Sequence, residues 1–304
     1  MNGVMTQASL DAQRVTYSAL FTKGLKSALL VGAQLATPVP STSGSNKYGW
    51  FGRFPKLRKW MGERRYQAVA EKVYHLANDK FTGEVEIDED DWSDDNLGSY
   101  NALIESWGKS AGELPDDLIF AALRDGHLRE CYDGQNFFDT DHPYDYRDGD
   151  GKLVESIYSN MSSGAGTVDP WFLVDLTQPL KPILLQNRQA PTFWMGTNRD
   201  VIEMNNGKVP LHGKARGAGG YTMPQLAHRS TNTLNRANYE AAKAAMTGLK
   251  DEQGEPLAIR PTHIVVGNSN EAAAKALFET QLVNGGDSNT LYNDVKIIVA
   301  PKLA

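Results

Sequence analysis

The sequence predicts an α+β chain, and three observations predict it. Apolar residues recur at helical spacing in the first half, over 9–30 and again over 103–126. WFLVDLTQPLKPILLQ (171–186) reads as buried strands broken at prolines. The last third alternates helix, strand, helix and strand, which is an α/β layer near the C-terminus.

Each element has a local reason. Over 9–30, Ser9 is placed to cap a helix whose stripe is Leu10, Tyr17, Leu20, Phe21, Leu25 and Leu29. TPVPSTSGSN (37–46) is expected to break regular structure, because two prolines fix φ and the Ser/Gly/Asn run favours turns. Leu103, Ile104, Trp107, Ala111 and Leu114 form a second stripe, closed by Pro115. PDDLIFAALRDG (115–126) places Pro and Asp in a first turn and Gly126 past its end, where a left-handed cap is expected. CYDGQNFFDTDHPYDYRDGDG (131–151) reads as a turn-rich loop with short extended pieces, and KARGAGGYTMPQLA (214–227) needs glycine for a bulge or a close backbone approach. The C-terminal layer comprises a helix over 238–248, a strand over 262–267, a helix over 271–280 with a Glu271–Lys275 pair, and a strand over 295–300. There is no internal repeat.

Composition narrows the function. The chain has 304 residues, 40% of them hydrophobic, enough for one large core or two modest ones. Its net charge of -6 lacks the cationic surplus of a dedicated nucleic-acid binder, which leaves only a local basic face for that role. The single cysteine, Cys131, cannot form an intrachain disulfide, and no Cys/His spacing matches a zinc site. Neither a secretory signal nor a membrane-length apolar run is present, so a soluble protein made in a reducing cytoplasm is expected.

Charge is unevenly spread over 47–95. Lys47, Arg53, Lys56, Arg58, Lys59, Arg64, Arg65, Lys72 and Lys80 face only Glu63, Glu71 and Asp79, and the same stretch carries Trp50, Phe51, Phe54, Leu57 and Trp60. Between Glu84 and Asp95 there are eight acids and no base. Large apolar groups among charges, without a clean period, are hard to bury in one's own monomer. Copies could meet basic face to acidic face, a heterologous contact that builds rings and shells; a solvated surface explains the charge pattern equally well. Trp50, Phe54 and Trp60 beside Arg53 and Arg58 could stack on bases, but aromatic-plus-arginine patches are also the usual make-up of protein interfaces.

Two groupings invite catalytic readings. Asp139, Asp141 and His142, with Asp145, Asp148 and Asp150 following, could bind a cation or move protons, yet the spacing fails the EF-hand template and turn chemistry accounts for these residues. THIVVGNSNEAAAKALF offers a helix N-terminus to a phosphate, but its loop holds one glycine, and Asn268, Ser269 and Asn270 read more simply as caps. No G-x-S-x-G occurs, and the six histidines are scattered. No catalytic residue, cofactor site or metal site is assigned.

Several phrases in order resemble one family. PVPSTSGSNKYGWFGRFPKLRKWMGERR (38–65), DWSDDNLGSYNALIESWGKSAGELPDDLIFAALRDG (91–126), CYDGQNFFDTDHP (131–143), WFLVDLTQPLKPILLQNRQAP (171–191), TLNRANYEAAKAAMTGLKDEQGEPLAIRPTHIVV (233–266) and VKIIVAPKLA (295–304) are similar to successive blocks of the Mu-like phage major head subunit (gene product T) family. The resemblance runs from about Thr37 to the C-terminus, with CYDGQNFFDTDHP its most specific member.

It implies the tailed-phage major capsid fold, of the phage Hong Kong ninety-seven type. The implied parts are an N-terminal arm (1–45), an extended β-hairpin loop (46–95), a peripheral domain (96–234) and an axial domain (235–304). The implied function is a major capsid protein, a structural and non-enzymatic one, whose copies form hexamers and pentamers of an icosahedral head around double-stranded DNA. Implied partners are portal, scaffold or head-maturation proteins, with non-specific DNA contact and no membrane. The implied location is the virion, assembled in the host cytoplasm. On this reading Trp50, Phe51, Arg53, Phe54, Arg58 and Trp60, with Asp88, Asp90 and Asp91, are the expected intersubunit contacts. The rivals are a nucleic-acid-binding module, and a metal- or nucleotide-dependent enzyme using Asp139, Asp141 and His142 or the 267–271 loop.

Overall fold

The structure is a computed structural model that describes residues 6–49, 73–94, 98–147, 152–164, 169–250, 255–283 and 285–303. The chain enters through helix α1 (Gln7–Ser27) and passes through strands β1 (Ala36–Pro40), β2 (Ser45–Gly49), β3 (Val73–Ala77) and β4 (Asp79–Asp88). Helices α2 (Glu89–Ser93), α3 (Ser99–Gly112) and α4 (Leu114–Asp125) follow. Strands β5 (His142–Arg147), β6 (Leu153–Tyr158), β7 (Met161–Ser162), β8 (Trp171–Val174) and β9 (Ile183–Met195) lead to helix α5 (Arg199–Met204). The remainder is β10 (Lys208–Tyr221), β11 (Ala227–Ser230), α6 (Arg236–Thr247), β12 (His263–Val266), α7 (Asn268–Phe278), β13 (Leu282–Val283), β14 (Asp287–Ser288) and β15 (Lys296–Val299).

Local chemistry sets several boundaries differently from the sequence reading. The cap of α1 is Thr6 rather than Ser9: the Thr6 hydroxyl accepts the Ser9 N–H and Ser9 Oγ accepts the Thr6 N–H, a reciprocal box. Leu29, expected in the stripe, lies beyond the helix and is 83% exposed. Residues 36–40 form a strand despite Pro38 and Pro40. β1 is an edge strand, parallel to β9, and the Ser41 N–H donates to the Asn187 carbonyl. Odd-numbered N–H groups therefore face β9, and both prolines turn their missing donors to the open edge. Gly126 has φ of -61, so it is no left-handed cap; a Cβ there would come within 2.8 Å of Phe138. The segment after Cys131 is less irregular than expected, since β5 and β6 pair as an antiparallel hairpin.

Two sheets carry the fold. The first has the order β1-β9-β10-β4. Along β10, Val209, Leu211, Gly213 and Ala215 are buried, and the residues between them are not, a period of two that marks one covered face. α1 and α3 cover it: Leu10, Tyr17, Phe21 and Ile104 share a core with Ile87, Met195, Val209 and Leu211. Glycines set the depth of this packing. Trp107 lies over Gly213 and Gly83, and a Cβ on Gly219 would stand 2.3 Å from the Leu118 carbonyl oxygen, so the expected close approach is to α4. The register shifts between Lys214 and Gly217 supply the expected bulge.

The second sheet has the order β15-β12-β8-β11-β7. All four residues of β8 are buried because both faces are covered. Phe172 and Val174 face a core with Ile119, Phe120, Phe137 and Phe138, whereas Trp171 and Leu173 face one with Tyr239, Met246 and Phe278 of α6 and α7. The Glu271–Lys275 pair forms at 2.6 Å.

Candidate functional site

The region singled out for contact between copies begins with β2 and β3, which pair antiparallel from Ser45 opposite Ala77 to Gly49 opposite Val73. Residues 50–72 join these strands, so Trp50, Phe51, Arg53, Phe54, Arg58 and Trp60 lie outside the described residues. The base of the hairpin is held from below by Gln186 of β9, which is fully buried. Its Oε1 accepts the Tyr48 hydroxyl at 2.6 Å, and its Nε2 donates to the Leu76 carbonyl at 3.2 Å, so one side chain grips both strands. Leu76, Leu184 and Ala218 form a small apolar cluster beside it. At the root of the hairpin, Asn78 Nδ2 donates to Ser41 Oγ and to the Ser43 carbonyl, both at 2.9 Å.

The acidic run is divided by the fold. β4 is the edge partner of β10, which sets Glu84 opposite His212, Glu86 opposite Pro210 and Asp88 opposite Lys208. Glu84 lies 3.7 Å from His212, Glu86 lies 3.6 Å from Lys208, and Glu89 meets Arg199 at 3.1 Å. Asp88 serves as the N-cap of α2, accepting the Asp90 N–H at 3.0 Å. Asp90 and Asp91 are exposed on α2. Lys208, His212 and Arg199 were missed as partners because they lie more than a hundred residues downstream, and only the strand register brings them over.

Asp148 and Asp150 lie outside the described residues, and His142, Asp139 and Cys131 are engaged in structure. His142 is fully buried and its Nδ1 lies 2.7 Å from Asp133 Oδ2, not on Asp139 or Asp141. Asp139 instead accepts the backbone N–H groups of Thr140 and Asn136. The Cys131 thiol donates to Asp133 Oδ1 at 3.0 Å, and the His142 ring stacks on Tyr158 at 4.9 Å. Burial raises the Asp133 carboxyl, but hydrogen bonds from His142 and Cys131 outweigh it and hold the group below its ordinary value. Burial pushes the Cys131 thiol far above the ordinary range, with Asp133 adding to the effect, so it is a poor nucleophile. Cys131, Asp133 and His142 place possible ligand atoms within 4.8 Å of one another, but the carboxylate already receives both neighbours. At the other candidate loop, α7 begins after Gly267 without a side-chain cap. Asn268, Ser269 and Asn270 are in its first turn, not capping it, and the Asn270 amide donates to the Asp169 carbonyl at 2.8 Å.

A four-stranded sheet over a helix pair, a hairpin seated on that sheet and a second α/β layer constitute the tailed-phage major capsid fold. Superposition supports this over nearly the whole chain. The subunit of the bacteriophage JBD30 procapsid is 36% identical with a TM-score of 0.83, covering 98% of this chain and 99% of that one. The subunit of the JBD30 capsid is 28% identical with a TM-score of 0.77, covering 99% and 100%. The family described as "Mu-like prophage major head subunit gpT" matches residues 10–303. The Mu-like prophage FluMu major head subunit of Haemophilus influenzae is 39% identical over 280 residues, 91% of each chain. The major capsid protein of Escherichia phage Mu is 36% identical over 307 residues, 99% of this chain and 100% of that one. The chain belongs to the Mu-like prophage major head subunit family and is a major capsid protein of a phage head.

Proposed function

We propose that this major capsid protein closes into hexamers and pentamers, the units of an icosahedral shell enclosing double-stranded DNA, and that its work is geometric rather than catalytic. The observation that carries the reading is the near full-length likeness to a subunit solved within a procapsid. Residues 1–45 act as the arm, 46–95 as the extended loop, 96–234 as the peripheral domain and 235–304 as the axial domain; the β2–β3 pairing inside the second range supports the loop assignment. Trp50, Phe51, Arg53, Phe54, Arg58 and Trp60 bury against an adjacent subunit, aided by Asp88, Asp90 and Asp91. Exposed Asp90 and Asp91 support that role. Portal, scaffold or head-maturation proteins complete the head in the host cytoplasm, and packaged DNA meets the shell through weak, sequence-independent contacts. No described helix is long and apolar enough to cross a membrane.

The test is sedimentation and negative-stain electron microscopy of the chain expressed with its neighbouring phage genes. Closed shells, or hexamers and pentamers, are expected, and a persistent monomer or dimer overturns the reading. Replacing Trp50 or Trp60 with Ala reduces shell yield while leaving the melting temperature of the unassembled subunit nearly unchanged. An equal loss of folding stability and assembly refutes the contact assignment.

A further inference from the structure

The outward face of the four-stranded sheet is polarised in charge. Its β10 side chains are Lys208, Pro210, His212, Lys214 and Arg216, and the register sets them opposite Asp88, Glu86, Glu84, Thr82 and Lys80 of β4. At one end bases meet acids, through Glu84 with His212 and Glu86 with Lys208. At the other end Lys80 stands directly opposite Arg216, with Gln189 of β9 on the far side, and Lys214 lies between Thr82 and Thr192. Like charges directly opposed on one face of a sheet are destabilising. Among the described residues, none of Lys80, Lys214 and Arg216 has an acidic partner, and Arg216 Nε is buried without a hydrogen bond. Trp194, opposite His212 on the same face, is 55% exposed.

The complementary charge sits at the far end of the same strand. α2 continues directly from β4, and beyond the Glu89–Arg199 pair it presents exposed Asp91 and Asp94. At about 3.3 Å per strand residue, Lys80 and Asp88, the cap from which α2 begins, are roughly 26 Å apart along β4, far beyond ion-pair reach within one subunit. Two such patches satisfy each other only between copies. Because they are different patches, the contact is heterologous, the class that propagates into rings and shells.

We infer that the cationic row of Lys80, Lys214 and Arg216 on one copy receives the acidic turn Asp91–Asp94 of an adjacent copy. The inference rests on the capsid reading above and adds to it the surface on which the acidic run docks. The long β9–β10–β4 register is then also a ruler, because it sets the distance between a subunit's donor and acceptor patches.

The test is a charge swap. The chain carrying Lys214→Glu with Arg216→Glu, the chain carrying Asp91→Lys with Asp94→Lys, and the chain carrying all four are each expressed with the neighbouring phage genes. Closed shells are counted by gradient sedimentation and negative stain. Each single swap is expected to cut shell yield at least about tenfold, since like charges then face each other, and the four-fold variant to recover to within about threefold of wild type. Single swaps that assemble at wild-type yield, or a four-fold variant no better than either parent, overturn the inference. Lys214→Glu with Arg216→Glu shells that close normally but package less DNA also overturn it, and mark a nucleic-acid face instead. If circular dichroism shows that a swap fails to fold, Lys214→Gln with Arg216→Gln replaces it, with a smaller yield loss expected and wild-type yield counting against the inference. Failure of the wild-type chain to close shells defeats the capsid reading itself, which separates the two.

Discussion

Gly108→Ala in the middle of α3 sets two effects of opposite sign against each other. An alanine in a helix interior is favoured over glycine by about 0.8–1.0 kcal/mol, so a solvent-facing site gains stability. At Gly108, however, the new Cβ would lie 2.2 Å from the Phe21 carbonyl oxygen of α1. Ordinary contact begins near 3.4 Å, so α1 must retreat by the difference, about 1.2 Å. The obstacle is backbone, and no rotamer change relieves it. Gly24 and Gly112 hold the same interface, with a Cβ on Gly24 2.0 Å from the Glu105 oxygen and one on Gly112 2.6 Å from the Leu25 oxygen. Retreat also moves Phe21 off Phe193, with which it stacks at 5.3 Å, and off Trp107 at 5.8 Å. Overpacking costs about 1–3 kcal/mol, and a backbone obstacle puts this site at the upper end, so the net loss after the helical gain is about 2 kcal/mol. Urea unfolding of the unassembled subunit, followed by circular dichroism and tryptophan fluorescence, is expected to show a lower midpoint at an unchanged slope. A variant as stable as wild type, or more so, refutes the close-packing argument.

Two further predictions follow from buried polar groups. Burial lowers the pKa of His228 to about 4, so the native state holds the ring neutral while the unfolded chain protonates near 6.5. Its contribution is intact above pH 6.5 and is lost as pH falls towards 4, to a total of about 3 kcal/mol; His228→Gln flattens this acid slope in pH-dependent denaturation, and an unchanged slope contradicts it. Gln186→Leu removes both hydrogen bonds at the hairpin base, so hydrogen exchange of β2 and β3 amides is expected to rise about tenfold, the equivalent of one net hydrogen bond, while β12 is unchanged. Unaltered protection over 45–77 refutes the anchoring role.

Where the sequence was legible, a local rule matched the tertiary demand. Pro182 does precede β9, Glu271 and Lys275 do meet, and the glycines of 213–220 do mark close approach. The expectation failed where position in the sheet overrode propensity: Pro38 and Pro40 are tolerated only because β1 has an open edge. Gly24, Gly108 and Gly112 were silent, since a glycine in a helix reads as a weak spot until its partner helix is known. The acidic run was visible, but its division into paired Glu84, Glu86 and Glu89 and exposed Asp91 depends on strands more than a hundred residues apart. The structural reading of His142 needed no partner to be named; its partner is Asp133, which the turn after Cys131 folds back onto it, rather than its sequence neighbours Asp139 and Asp141. The family resemblance escaped these limits because collinear phrases carry the whole pattern at once.

The contrast between the body and the hairpin base bears on how such a subunit is assembled. The body is closed by three apolar cores and by glycine-mediated backbone contacts, and separating them exposes apolar area at a cost proportional to that area. Among the described residues, the hairpin base has the small buried cluster of Leu76, Leu184 and Ala218, Tyr74 packed against the larger core, and the hydrogen bonds of Gln186 and Asn78. A hydrogen bond exchanged for one to water changes the free energy little, whereas an opened core changes it greatly. The ties of the hairpin base at Gln186 and Asn78 therefore open at lower cost than the sheet beneath. Lys80 and Asp88 lie near the two ends of β4 within that sheet, so opening the hairpin base leaves their spacing unchanged.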